Sequence, residues 1–361
     1  MGFKCGIVGL PNVGKSTVFN ALTQAKVAAE NYPFCTIDPN VGVIPVQDVR
    51  IQELAKLVQP QKLVPAVVEI VDIAGLVKGA SKGEGLGNRF LASIRETQAI
   101  IHVVRCFEND DVIHVAGKVD ALADIDVINT ELLLADLESV TKGLEKVSRT
   151  AKSGNKEAIF ERDVLTRAAA WLSEGKTIRS LPELAEANGV LQRYALLTAK
   201  PVIYVANVDE SNNNAMLHAV EELAAAERAQ VIPLCATLEA EIAELPEEEK
   251  VEFMEALGMK EPGLAKVVRS GYAALGLQTF FTAGPQEVHA WTVPCGAKAP
   301  EAAGVIHTDF ERGFICAEIV SYADFIQYHG ESGAKEAGKL RLEGKNYVIQ
   351  DGDVVHFRFN V

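Results

Sequence analysis

Short apolar runs of strand length recur along the first two thirds of the chain, and stretches with helical periodicity separate most of them. The runs lie at residues 3–9, 64–73, 99–106, 201–207 and 231–235. Apolar strands that alternate with helices are typical of an α/β domain, because parallel strands need long crossover connections. The pattern therefore predicts an α/β domain with a mostly parallel sheet.

A helical insertion interrupts this alternation at residues 125–198. Its apolar residues recur at steps of four and three, the spacing of a coiled-coil seam: Leu133, Leu137, Val140, Leu144 and Val147. After a Ser-Gly-Asn turn at 153–155, one face of a second helix carries Phe160, Val164, Ala168 and Trp171. We expect an antiparallel helical hairpin, followed by a third helix that starts at a Ser180-x-x-Glu183 capping box.

The last 84 residues have a different pattern of predicted secondary structure. Short β-rich pieces lie at 287–293, 314–320, 346–349 and 354–359, with one helix at 299–310. This mixture predicts a small, separate α+β domain. The expected organisation is a nucleotide-binding domain of residues 1–124 and 199–277, a coiled-coil arm of residues 125–198, and a C-terminal domain of residues 278–361.

A phosphate-binding loop is the clearest functional motif. Residues 9–16 read Gly-Leu-Pro-Asn-Val-Gly-Lys-Ser and match G-x-x-x-x-G-K-S between a predicted strand and helix. Backbone N–H groups of such a loop surround phosphates, the Lys15 ammonium bridges the β and γ phosphates, and the Ser16 hydroxyl binds Mg²⁺. The candidate nucleotide-binding residues of the loop are Asn12, Val13, Gly14, Lys15, Ser16 and Thr17.

Two further segments have the order expected of a nucleotide switch. Asp72-Ile-Ala-Gly75 has the D-x-x-G form, so Asp72 would support Mg²⁺ and the Gly75 N–H would meet the γ-phosphate. Thr36 lies in the loop where the first switch is expected, and its hydroxyl is a candidate second Mg²⁺ ligand. Asn12 is in addition a candidate ligand for a monovalent cation such as K⁺.

The base-recognition tetrapeptide departs from the N-K-x-D form that selects guanine. It reads Asn207-Val208-Asp209-Glu210, with Val in place of Lys and the longer Glu in place of Asp. The change predicts weaker guanine selection and a preference for adenine. The adenine amine would donate a hydrogen bond to Asn207 or to backbone carbonyls, and Val208 would lie near the ring. A variant that tolerates the change and still prefers GTP is the alternative.

The attacking water lacks its usual partner. Leu76 follows the D-x-x-G segment, where Ras-type proteins have the Gln that orients water. Leucine cannot hydrogen-bond to water, so a polar group must come from elsewhere or hydrolysis is slow. His114, in the loop after the 99–106 strand, is the candidate catalytic residue beside Lys15 and Gly75.

The extended second switch indicates a family. Residues 72–91 read Asp-Ile-Ala-Gly-Leu-Val-Lys-Gly-Ala-Ser-Lys-Gly-Glu-Gly-Leu-Gly-Asn-Arg-Phe-Leu and resemble the glycine-rich switch of Obg-type proteins. With the altered tetrapeptide, the arm and the C-terminal domain, the chain resembles the YchF family of Obg-like ATPases over essentially its whole length. The resemblance implies a P-loop G-protein-like domain with an inserted coiled-coil hairpin and a C-terminal β-grasp domain of the TGS type.

The same resemblance carries functional expectations. It implies a preference for ATP over GTP, a histidine at the place of His114 acting for the missing Gln, and binding to the ribosome, either its large subunit or the whole particle. The C-terminal segment 278–361 carries seven Lys or Arg and eleven Asp or Glu, a net charge of −4. RNA binding is therefore expected to be shared with the arm.

Charge and composition limit the expected binding partners and cellular location of the protein. The chain carries −14 overall, yet residues 140–156 hold five Lys or Arg against one Glu, a local net charge of +4. That end of the arm is either a solvated helix face or an RNA-phosphate contact. Six scattered cysteines without a C-x-x-C pair, and no apolar run of roughly 20 residues, predict a cytoplasmic protein without a membrane partner. A monomer is expected.

Three functions remain open at this stage. The leading one is a slow, Mg²⁺-dependent ATPase whose nucleotide state alters its grip on the ribosome. The second is a GTPase with the same phosphate chemistry. The third is a ribosome- or RNA-binding adaptor that holds nucleotide as a structural ligand with negligible turnover.

Overall fold

The computed structural model describes residues 3–24, 40–73, 86–109, 111–181, 184–209 and 214–360. In chain order the strands are β1 Phe3–Val8, β2 Val41–Pro45, β3 Lys62–Val64, β4 Val67–Asp72, β5 Ala99–Arg105, β6 Val202–Asn207, β7 Gln230–Leu234, β8 Leu277–Ala283, β9 Glu287–Pro294, β10 Phe314–Ser321, β11 Arg341–Glu343 and β12 Asp353–Phe359. The helices are α1 Lys15–Gln24, α2 Val49–Val58, α3 Leu86–Arg95, α4 Ala121–Ala151, α5 Lys156–Ser173, α6 Leu184–Leu191, α7 Ala215–Glu227, α8 Ala236–Glu244, α9 Glu247–Ala256, α10 Gly263–Ala274, α11 Ala299–Ile306, α12 Thr308–Arg312, α13 Tyr322–Gln327 and α14 Glu331–Glu336.

The chain divides into two compact units. The smaller unit comprises residues 1–3, 43–69 and 268–361, and the larger unit comprises residues 4–42 and 70–267. The sequence-based boundaries placed residues 43–69 with the phosphate loop. In the structure these residues group with the C-terminal segment, because β3 pairs with β9 and α2 contributes to the same apolar core.

The larger unit contains strands β5, β6 and β7 and nearly all of β1, within a sheet whose strand order is β2-β4-β1-β5-β6-β7. Strands β1, β5, β6 and β7 pair in parallel, and β5 and β6 are buried along their whole length. Such burial explains their near-continuous apolar sequences. The four parallel strands therefore end at one edge of the sheet, so the loops that follow them meet there. The predicted strands at 99–106, 201–207 and 231–235 are confirmed as β5 to β7. The predicted strand at 64–73 is divided between the end of β3 and the separate strand β4.

The arm consists of the 31-residue α4 and the 18-residue α5, with Asp120 and Asn155 as their N-caps. The predicted seam on α4 is confirmed, because its residues belong to or pack against one apolar cluster. On α5 the packing face differs from the prediction. Leu165 and Leu172 are buried there, whereas Phe160 is 53% exposed. The apolar spacing of α5 is compatible with two overlapping faces, and packing against α4 selects the one without Phe160.

A buried carboxylate joins the middle of α4 to the segment before β6. Asp136 accepts hydrogen bonds from the Leu197 and Thr198 N–H groups and from the Thr198 hydroxyl, at 2.6 to 2.8 Å. Burial raises the pKa of Asp136 despite these donors. Of the expected capping box ahead of α6, Ser180 ends a short 3-10 turn and Glu183 lies outside the described residues.

The smaller unit contains a mixed sheet with the order β11-β10-β12-β8-β9-β3. Strand β12 pairs in parallel with β8 and antiparallel with β10, and α11 packs on the core that includes Phe280 and Phe314. This is the small α+β domain that the sequence predicts. Some details differ. His307 separates α11 from α12 where one helix was expected, and 346–349 contributes only an isolated bridge between Lys298 and Val348. Strands β8 and β11 and helices α13 and α14 were not predicted.

Candidate nucleotide-binding site

The phosphate loop lies between β1 and α1, as its motif predicts. Gly14 has φ of 95°, a conformation that L side chains rarely adopt, and a Cβ there would lie 2.3 Å from the Asn207 side-chain nitrogen. Asn12 also has a positive φ, of 63°. The loop therefore requires glycine at position 14 for two reasons, backbone conformation and the close approach of Asn207.

Lys15 and Asp72 form an ion pair at the mouth of the loop. Their side chains are only 11% and 21% exposed. Lys15 is the first residue of α1 and Asp72 is the last residue of β4, so two separate segments bring the ammonium and the carboxylate together. Ser16 follows in the first turn of α1. A hydroxyl and a carboxylate beside the phosphate loop are hard oxygen donors, which Mg²⁺ prefers.

Asn207 ties the phosphate loop to the turn after β7. Its side-chain amide donates to the Val13 carbonyl at 3.0 Å, and its oxygen accepts from the Ala236 N–H at 3.0 Å. The residue is buried, as are Val13 and Val208. Both ends of the Asn207 amide are therefore committed to the protein. Of the two acceptors expected for an adenine amine, this arrangement favours backbone carbonyls over Asn207.

These loops enclose a cavity of about 1050 Å³, a size suited to a nucleotide. Its lining includes residues of the phosphate loop, the segment after β5, Asn207 to Asp209, and the turn after β7. The lining residues that the sequence did not single out are Phe107, Glu108, Asn109, Val112, Cys235, Ala236 and Thr237. The available signal was their position, directly after the parallel strands β5 and β7.

Arg105 organises the wall after β5. Its guanidinium donates to the carbonyls of Phe107, Asn109 and Val112 at 2.8 to 3.1 Å, and it lies 4.6 Å from the centre of the Phe107 ring. Arg105 is only 1% exposed. One buried side chain thus fixes three backbone groups in the wall of the cavity. An arginine at the end of a mostly apolar strand was the sequence signal for this role.

His114 lies just beyond that wall and is buried. Its Nδ1 accepts from the Ala116 N–H at 3.2 Å, so the hydrogen-bond network assigns the proton to Nε2, which donates to Asp124 at 2.9 Å. Burial raises the pKa of Asp124, and the hydrogen bond from His114 opposes that rise. The Asn12 side chain donates to the Ile113 carbonyl at 3.1 Å, which joins the phosphate loop to the segment that carries His114.

Several predicted residues lie outside the described residues: Thr36, Gly75, Leu76 and Glu210. Their roles remain predictions. Across the part of the chain that the structure describes, no helix has both the length and the apolar character of a membrane span. Over the same residues, no group of three or more His, Cys, Asp and Glu side chains could hold a metal ion.

The fold and the cavity define a P-loop nucleotide-binding protein of the G-protein type. A family model described as a 50S ribosome-binding GTPase matches residues 4–150. A model for the C-terminal part of YchF GTPases, described as a protein of unknown function, matches residues 277–360. Both matches agree with the expected fold.

Full-length relatives identify the family. The chain is 61% identical to the ribosome-binding ATPase YchF of Haemophilus influenzae and 55% identical to that of Bacillus subtilis, with 100% of each chain covered. The structure of the Schizosaccharomyces pombe YchF GTPase matches with a TM-score of 0.89 at 39% identity, over 99% of this chain and 98% of that one. The chain belongs to the YchF family, and its relatives' names support a nucleotide-hydrolysing enzyme.

Proposed function

We propose that this protein is a Mg²⁺-dependent ATPase that hydrolyses ATP slowly and binds the ribosome in a way that depends on its nucleotide state. The observation that carries the proposal is one cavity lined by the phosphate loop, including Lys15, and by Asn207. Lys15 pairs with Asp72, and Asn207 clamps the loop to the turn after β7. The proposed site residues are those of the sequence analysis. Relatives named ribosome-binding ATPases support the ribosome as partner.

The preference for ATP rests on the base end of the cavity. With both ends of its amide engaged by Val13 and Ala236, Asn207 has a structural role that suits either base. Selection then depends on Val208, which offers no cationic stem, and on Glu210, whose carboxylate is one methylene longer than the Asp that reads guanine. A solved relative carries the name GTPase, so GTP is the competing nucleotide to test.

Ser16, Asp72 and Thr36 would hold Mg²⁺. When bound, the ion neutralises charge on the β and γ phosphates. Lys15 supplies a second positive charge at the same phosphates, and the Gly75 N–H a further donor. Asn12 is the candidate ligand for K⁺, although its side chain contacts Ile113 in this structure.

Slow hydrolysis follows from the surroundings of the water-positioning group. Leu76 offers no hydrogen bond, and both ring nitrogens of His114 have protein partners. To orient water, His114 must exchange one of these partners for the water molecule. We propose that this exchange limits turnover. We also propose that the protein is a monomer and is cytoplasmic.

Phosphate release tests the enzymatic part. The unmodified protein should release phosphate from ATP faster than from GTP, and chelation of Mg²⁺ should abolish release. Lys15→Ala should slow release from ATP at least about a hundredfold, because a charge that stabilises the transition state is lost. Lys176→Ala, an exposed lysine beyond the end of α5, is the matched control. A Lys15→Ala protein with the unmodified rate would contradict the site assignment.

The adaptor is the second candidate, and the fully engaged His114 ring favours it. Co-sedimentation with ribosomes separates the two functions. An adaptor should bind ribosomes equally with ATP, with ADP and without nucleotide, whereas the proposed switch should show a clear difference among these states.

A further inference from the structure

A histidine and an aspartate form a buried pair between the loop after β5 and the start of the arm. His114 Nε2 donates to Asp124 Oδ2 at 2.9 Å, and the two side chains are 4% and 6% exposed. Asp124 lies in the first turn of α4, where the Asp120 side chain caps the helix by accepting from the Ala123 N–H. The carboxylate is therefore carried by a helix, whereas the imidazole is carried by a loop.

The neighbours of His114 show that apolar packing of the loop is not the cause of its burial. Ile113 and Val115, on either side, are 79% and 57% exposed. The loop thus exposes two aliphatic side chains and buries the imidazole between them, which reverses the usual preference of these residue types. A buried polar ring needs hydrogen-bond partners, and Asp124 is the acidic one.

Other contacts hold the backbone of this loop without the His114 ring. The side chain of Asn12 donates to the Ile113 carbonyl at 3.1 Å. The guanidinium of Arg105 donates to the Val112 carbonyl at 2.8 Å. Anchoring of the loop is therefore an incomplete explanation of the buried pair, and the first of these contacts comes from the phosphate loop itself.

The two ring nitrogens of His114 are held unequally. Nε2 faces the Asp124 carboxylate at 2.9 Å, whereas Nδ1 accepts from the neutral Ala116 N–H at 3.2 Å. A charge-assisted hydrogen bond is roughly twice as strong as a neutral one, so water displaces the Ala116 contact more readily than the Asp124 contact. Water can donate to Nδ1 only while that nitrogen carries no proton, and the bond to Asp124 keeps the proton on Nε2.

We propose that Asp124 is a positioning residue for hydrolysis, because it holds His114 in the tautomer whose Nδ1 accepts a hydrogen bond from the attacking water. The water replaces the Ala116 N–H, and the bond to Asp124 persists. The carboxylate acts only through the ring. This inference rests on the proposed water-positioning role of His114, and it names the partner that the ring gives up.

Asp124→Asn tests this role. An amide accepts with its oxygen but donates with its nitrogen, so it no longer dictates which ring nitrogen carries the proton. Phosphate release from ATP should slow at least about tenfold, and by no more than in His114→Ala. ATP affinity, measured by competition with a fluorescent nucleotide analogue, should change less than about twofold. Asp126→Asn, an exposed aspartate two residues further along α4, is the matched control and should leave both quantities unchanged.

A double variant separates this role from a general structural defect. In His114→Ala there is no ring to orient, so the addition of Asp124→Asn should lower turnover less than about twofold further. A structural defect would instead lower turnover in both backgrounds. An equal loss in the unmodified and His114→Ala backgrounds would therefore overturn the inference.

NMR of protein labelled with 15N-histidine reads the tautomer without reference to catalysis. At about pH 8, where an ordinary imidazole is neutral, the His114 ring should show an unprotonated Nδ1 and a protonated Nε2. His114→Ala identifies its signals by their loss. Asp124→Asn should move the Nε2 signal and populate the other tautomer, whereas Asp126→Asn should do neither. A protonated Nδ1 in the unmodified protein, or unchanged ring signals in Asp124→Asn, would overturn the inference.

The single variants separate this inference from the proposed function. Normal turnover in Asp124→Asn together with slow turnover in His114→Ala would overturn the role of Asp124 alone. Normal turnover in His114→Ala would contradict the proposed water-positioning role of His114 and would overturn this inference with it.

Discussion

Asn207 shows how one side chain can organise a candidate nucleotide site through its contacts with the protein. Its amide links the phosphate loop to the turn after β7, and its position against Gly14 leaves no room for a Cβ there. This buried amide contributes more to the stability of the loop than to binding of the base, because truncation leaves the Val13 carbonyl and the Ala236 N–H unsatisfied.

Asn207→Ala should therefore weaken the binding of ATP and of GTP by the same factor. We expect a loss of about ten- to hundredfold for both, from about 1–3 kcal/mol for the unsatisfied groups, with an unchanged ATP to GTP ratio. Competition with a fluorescent nucleotide analogue measures both affinities. Asn20→Ala, on the exposed side of α1, is the control. A change in the ratio would mean that Asn207 reads the base.

His114→Ala tests the proposed water-positioning residue. Turnover of ATP should fall about a hundredfold or more, the typical contribution of a positioned acid–base group. ATP affinity should change less than about twofold, since the ring is directed to Asp124 and Ala116. His218→Ala removes a histidine that is 63% exposed on α7 and should leave both quantities unchanged. Normal turnover in His114→Ala would remove His114 from the mechanism.

At the scale of elements, the buried histidine of β5 makes the stability of the larger unit depend on pH. His102 is 2% exposed, and its ring lies 5.5 Å from that of Tyr204 on β6. Burial, helped by the charge of Arg179, lowers the pKa of His102 from 6.5 to about 3. The folded protein therefore holds this ring neutral, whereas the unfolded chain protonates it below pH 6.5.

The sign of the effect follows from that difference. The stability that His102 contributes is complete above pH 6.5 and is lost as the pH falls towards 3. Between pH 7 and pH 5, the unmodified protein should lose about 2 kcal/mol more unfolding free energy than His102→Phe does. Urea denaturation in a Trp291→Phe background follows the larger unit alone through Trp171. Equal losses in the two proteins would contradict the predicted pKa shift.

Periodicity predicted the elements whose partners lie close in sequence or whose burial is complete. Strands β5 to β7 and the seam of α4 belong to this group. Strand β3 does not, because three residues carry too little pattern and its pairing with β9 joins residues 62–64 to residues 287–289. The packing face of α5 was likewise open until α4 selected it, so the exposure of Phe160 could not be predicted from spacing.

The candidate site likewise contains residues that the sequence predicts and residues that only the fold brings together. The phosphate loop is contiguous in sequence and was predicted residue by residue. Arg105, Phe107 and Cys235–Thr237 come from separate loops, and only the parallel order of β1, β5, β6 and β7 brings them to one cavity. Asn207 was predicted to lie at the site, but its clamp required the three-dimensional contact with Val13 and Ala236.

At the scale of the whole molecule, one chain combines a candidate nucleotide site, a helical arm and a C-terminal unit. The relatives match this chain over its full length at 55–61% identity. We propose that the site prefers ATP and that ribosome association depends on which nucleotide is bound. The proposed preference concerns base recognition, where Val208 and Glu210 depart from the guanine-selecting tetrapeptide.

Titration of nucleotide-free protein with fluorescent ATP and GTP analogues tests this claim most directly. Mg²⁺ is present throughout, and unlabelled ATP and GTP serve as competitors. We predict that ATP binds at least about tenfold more tightly, a difference of roughly 1.4 kcal/mol. GTP binding tighter by the same margin would contradict the account of base selection and would place this protein among the GTPases, with its fold and phosphate chemistry unchanged.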